Sequence, residues 1–67
     1  MEDLKKEIGK KIKIARLNLG LTQADICDDE SELTVRQLAR IENGQAMVTI
    51  PKLVILSEKL GISVQSI

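Results

Sequence analysis

Glycine stops and hydroxyl caps cut this chain into short helical segments. Gly20 is followed by Thr22, Asn43-Gly44 by Thr49, and Gly61 by Ser63, while Thr34 stands before a further apolar-periodic run. Glycine just past a helix end adopts the left-handed backbone that closes it. A hydroxyl at the next start accepts one of the orphan N–H groups.

Between these marks the apolar residues recur at helical spacing. A first helix is expected from about Leu4 to Leu19, with Leu4, Ile8, Ile12, Ala15 and Leu19 on one face and lysines on the other. A short second helix starts at Thr22, where Asp25 suits the positive end of the helix and Ile26 and Cys27 supply the apolar side. Residues 28–32 read as a fraying end and turn, plugged by Leu33. A third helix follows Thr34, buries Leu38 and Ile41, and ends at Asn43-Gly44. Residues 44–48 form a loop. Thr49 can cap a fourth helix, with Pro51 tolerated in its first turn. Leu53, Leu56 and Leu60 give it a core stripe, and Ser63 can cap one more turn. An apolar residue at the last position, Ile67, suggests a segment of something longer. The expectation is an all-α bundle of four to five short helices, with residues 1–67 as one domain.

Composition removes several function classes. With 67 residues the chain is near the lower limit for a single core. It has no Phe, Tyr or Trp, so the core is aliphatic and no ring can stack on an unpaired base. It has no His and one Cys. An internal disulfide and a zinc cluster of ordinary ligand count therefore have no residues to build them, and the sequence offers no nucleophile with a nearby base. No enzyme and no cofactor are expected. No apolar run is long enough to span a bilayer and the N-terminus leads into no signal-peptide core, so the expected location is cytoplasmic, with no membrane partner.

The formal net charge is zero, which counts against a nucleic-acid binder. The charges are segregated, however. Lys5, Lys6, Lys10, Lys11, Lys13 and Arg16 crowd the first helix against Glu7. Asp25, Asp28, Asp29, Glu30 and Glu32 crowd the next stretch, and Arg36 and Arg40 follow. Segregation lets one face be basic while another is acidic.

The segment Leu21-Thr-Gln-Ala-Asp-Ile-Cys followed by Leu33-Thr-Val-Arg-Gln-Leu-Ala-Arg-Ile-Glu-Asn-Gly44 resembles the helix-turn-helix of the Cro/C1-type (XRE) regulators. The likeness runs from about Ile8 to Ile67, and the fold it implies is the lambda-repressor-like bundle. The runs Cys-Asp-Asp, Glu-Leu-Thr-Val-Arg-Gln-Leu and Arg-Ile-Glu-Asn-Gly are similar to the N-terminal domain of peptide-sensing regulators of the Rgg/ComR kind. In that group a helical-repeat domain that responds to a signalling peptide follows the DNA-binding domain.

The resemblance implies a DNA-reading motif at about 22–43, with the recognition helix at about 34–43 entering the major groove. Arg36 suits a bidentate contact to guanine O6 and N7. Gln37 suits adenine or a phosphate, and Val35 a thymine methyl. Arg40 lies one turn after Arg36, facing the same groove or its wall. Gln23 is expected on a phosphate, as are Thr22, Thr34 and Asn43 near the helix ends. An Arg at the Arg16 position pairs, in the family, with the Glu of Ile-Glu-Asn-Gly, here Glu42. The implied partner is a double-stranded operator with paired half-sites, bound by a homodimer.

Two features depart from the family pattern. The turn is one residue longer than usual, with Glu32 where Gly is common. Cys27 stands where Ala is common, as a small core residue or as a redox or intersubunit thiol. The acidic cluster would repel phosphate and is expected to face away from the duplex, where it can contact a partner domain. Two other readings stay open from sequence: an antitoxin that binds both DNA and a toxin, and a helical protein-interaction module.

Overall fold

A computed structural model describes residues 3–28 and 31–62. Among these residues the chain forms four helices: α1 (Leu4–Asn18), α2 (Gln23–Ile26), α3 (Val35–Glu42) and α4 (Ile50–Leu60). The expected further turn at Ser63 lies outside the described residues.

Local chemistry fixes the boundaries. Asp3 opens α1 by accepting the Lys5 N–H at 3.0 Å. Thr22 opens α2 and Thr34 opens α3, each with a reciprocal capping box. Thr49 takes the N-cap position of α4, but its hydroxyl makes no capping hydrogen bond. At the end of α3 the Gly44 N–H donates to Ile41 O and the Gln45 N–H to Arg40 O, at 3.1 and 2.8 Å. This closure needs the positive φ of Gly44, +74°.

The core is aliphatic. Ile12 of α1, Ile26 of α2, Leu38 of α3 and Leu56 of α4 are almost wholly inaccessible, as is Leu33 in the turn. Burial of each contributes on the order of 1.5–3 kcal/mol. Val48, expected in a loop, is also buried.

Packing corrects the expected face of α1. Leu4 and Leu19 are 57% and 53% exposed. The stripe that meets the bundle runs instead through Ile8, Gly9, Ile12, Ala15 and Arg16. Leu19 falls off it because the helix has ended at Asn18, and Leu4 because it is the first helical residue. Gly9 is the point of closest approach. A Cβ there would sit 2.1 Å from Ile41 O and 2.9 Å from Glu42 O, so α1 crosses the last turn of α3 almost backbone to backbone. Gly44 makes a second close contact, with Lys6 of α1. Together these contacts set the angle at which α3 is presented.

Candidate nucleic-acid interface

Eight residues make a short α3, and its two sides differ sharply. Leu38, Ile41 and Glu42 are buried, and Val35 and Ala39 are half-buried. Arg36, Gln37, Arg40 and Asn43 are exposed. At 100° per residue these four occupy roughly 120° of the helical circumference. Burial of one side thus forces the polar residues into one outward stripe. Val35 packs against the core, so only part of its side chain remains available on that stripe. Thr34, half-buried, is engaged as a cap: its hydroxyl accepts the Gln37 N–H at 3.1 Å. Asn43 forms the helix end, and its backbone N–H donates to Ala39 O.

Behind the stripe lies a buried polar cluster. Arg16 Nε donates to Glu42 Oε2 at 2.9 Å, Nη2 donates to Glu42 Oε1 at 3.0 Å, and Nη1 donates to Leu21 O at 2.8 Å. Both residues are 7% exposed. Glu42, by its hydrogen bonds and charge, holds the Arg16 guanidinium even more firmly protonated than usual, against the opposing effect of burial. The fork geometry fixes the angle of the pair as well as its distance. It ties α1, the start of the turn to α2, and the end of α3 to one another.

Gln23 belongs to the same cluster. Its Nε2 donates to Glu42 Oε1 at 3.1 Å, and the residue is half-buried. The family resemblance implies a phosphate contact for this side chain; here one of its two amide hydrogens is committed inside the protein. Thr22, exposed, accepts the Asp25 N–H at 3.1 Å, while its own N–H donates to Asp25 Oδ2 at 2.8 Å.

That last bond gives a pH signature. Hydrogen bonds from the Thr22 backbone, then from its side chain, hold the Asp25 carboxyl below the ordinary Asp value. A depressed pKa adds stability above the unfolded value, about 3.9, which is lost as pH falls through the lower folded value. The difference in Tm between the natural chain and Asp25→Ala should therefore be full at neutral pH and shrink on acidification below about pH 4. A difference that is constant down to the acid limit would contradict it.

Sequence reasoning missed Lys52. Its Nζ donates to Gln37 Oε1 at 2.9 Å. With Gln37, Arg40, Met47 and Thr49 it lines a depression of about 180 Å³ between α3 and the start of α4. One signal was available: a lysine in the first turn of a helix opposes the helix dipole, so a partner elsewhere is to be expected. The acidic stretch is partly accounted for, since Asp28 pairs with Lys59 of α4 at 2.6 Å. Asp29 and Glu30 lie outside the described residues. Cys27 is buried in the core. No group of three or more metal-ligand side chains occurs among the described residues, and no helix is long and apolar enough to cross a membrane.

An all-α bundle with two consecutive capped helices, the second exposing an arginine stripe, defines a helix-turn-helix domain. A family model described as Helix-turn-helix matches residues 12–67, and the chain belongs to this Cro/C1-type family of DNA-binding regulator domains. Within it, the chain is similar to ComR competence regulators. The apo form from Streptococcus vestibularis is 39% identical over 92% of this chain, with a TM-score of 0.90. That from S. thermophilus is 38% identical over 94%, with a TM-score of 0.91. The S. suis protein is 38% identical over 98%, with a TM-score of 0.87. The chain spans 21% of the length of each of these regulators. No curated protein sequence matches it.

Proposed function

We propose that this chain reads double-stranded DNA in the major groove through α3, as the DNA-binding part of a longer transcriptional regulator. The observation that carries this is the outward stripe of Arg36, Gln37 and Arg40 on a helix whose opposite side is locked into the core. Zero net charge is no obstacle, because the charges are segregated: Arg36 and Arg40 are exposed on α3, whose one carboxylate, Glu42, is buried and paired with Arg16. The stripe itself is cationic.

Roles follow from chemistry. Arg36, in the first turn of α3, pairs bidentately with a guanine edge. Arg40 reaches the same groove or its phosphate wall. Thr22, Gln23, Thr34 and Asn43 sit at helix ends, where contacts to phosphate hold register without reading sequence. Two copies bind two half-sites about one DNA turn apart, roughly 34–36 Å. The similarity to a ComR that was solved with its cognate signalling peptide supports a peptide-sensing partner domain for the intact regulator.

The test is selection from a randomised duplex pool at low and moderate salt, with the chain both free and joined as a dimer. One half-site should be enriched. Arg36→Ala should lose about 1–3 kcal/mol of binding and relax specificity at a single position. Binding by the natural chain should weaken steeply with salt as counterions are released. Absence of enrichment in both forms would contradict the reading and favour a protein-interaction module.

A further inference from the structure

Gln37 is not a free amide. Its Oε1 accepts two hydrogen bonds, from the Thr34 N–H at 3.1 Å and from Lys52 Nζ at 2.9 Å. Both partners are donors only, so the orientation of the amide follows from chemistry: the oxygen must face them. A carbonyl oxygen has two lone pairs, and both are used. The outward group is then Nε2, with two hydrogens to donate and nothing to accept with.

This changes what Gln37 can read. Bidentate recognition of adenine needs an acceptor for the N6 amino group and a donor for N7. Gln37 can supply only the donor. Guanine presents two acceptors, O6 and N7, and thymine presents O4, so a donor-only amide fits these edges and disfavours adenine. Resting on the proposal that α3 enters the major groove, we infer that Lys52 is a specificity-setting positioning residue. By occupying Gln37 Oε1 it turns a potential adenine reader into a donor-only reader that selects guanine or thymine. Lys52 acts from α4, across the depression that it and Gln37 both line, and it need not touch a base to do so.

The experiment compares the selected half-sites of the natural chain, Gln37→Ala, Lys52→Met and Lys52→Arg, in whichever form of the chain gives enrichment. Gln37→Ala identifies the position that Gln37 reads, as the one whose preference it erases. At that position the natural chain should select guanine or thymine. Lys52→Met frees one lone pair and should raise adenine relative to guanine by about five-fold or more. Lys52→Arg keeps a donor and should retain the original choice. Loss of the lysine charge weakens binding to all sequences alike, so base preference rather than affinity is the readout. Thermal unfolding of each variant confirms that it is folded. Adenine selected by the natural chain, or a preference unmoved by Lys52→Met, would overturn the inference while leaving DNA reading intact. So would a Gln37→Ala variant that erases no preference. Failure to enrich any site would overturn DNA reading and this inference with it.

Discussion

Replacing Glu42 by Ala should cost about 3–5 kcal/mol, enough to unfold most of a domain this small. The expectation follows from what the carboxylate leaves behind. Arg16 is 7% exposed and sends two of its three hydrogen bonds to Glu42; Gln23 sends one more. Without Glu42 a charged guanidinium remains inside with only Leu21 O as partner. The intact pair is not thereby a large source of stability, because desolvation of both ions offsets most of their attraction. The double variant Arg16→Met, Glu42→Leu should accordingly be far less damaged than Glu42→Ala alone. Chemical denaturation of the natural chain and the variants supplies the comparison. If the double variant loses as much as the sum of Arg16→Met and Glu42→Leu measured singly, the pair is not coupled.

Gly9→Ala should be the second most damaging change, and here two effects oppose each other. Alanine improves intrinsic helix propensity in the middle of α1 by about 1 kcal/mol. The new methyl, however, would meet Ile41 O at 2.1 Å and Glu42 O at 2.9 Å. These are backbone atoms of a neighbouring helix and cannot rotate away. Overpacking of this kind costs about 1–3 kcal/mol, occasionally more, and a contact this short belongs at the upper end. The net expectation is a loss of about 2 kcal/mol or more, with α3 displaced relative to α1. Binding to DNA should suffer beyond the loss of folded protein, because the angle of α3 depends on this crossing. A neutral or stabilising Gly9→Ala, read from the same denaturation curves, would show that the two helices are not in such close contact.

These two positions also mark what could be read from the sequence. The caps at Thr22 and Thr34, the plug at Leu33 and the closure at Gly44 are local devices, set by a few neighbouring residues, and they were legible. So was the polar stripe of α3, because Leu38 and Ile41 fix which side is buried. Gly9 was not legible, since nothing nearby in sequence indicates that another backbone passes over it. Leu4 and Leu19 fitted the helical period yet are exposed, because periodicity does not say where the neighbouring helix ends. Gln23 and Gln37 were legible as polar residues in the first turns of their helices. Their partners, Glu42 and Lys52, lie 19 and 15 residues away, and only the folded chain brings them together.

Reading of base edges by α3 through Arg36 is tested most directly by pairing a protein change with a DNA change. Each guanine of the selected half-site is replaced in turn by 7-deazaguanine, which lacks the N7 acceptor, and binding is measured for the natural chain and for Arg36→Ala. One guanine is expected whose replacement weakens the natural chain by about 1–3 kcal/mol and leaves Arg36→Ala unaffected. Equal losses for both proteins at every guanine, or an Arg36→Ala variant that binds the half-site as tightly as the natural chain, would contradict it.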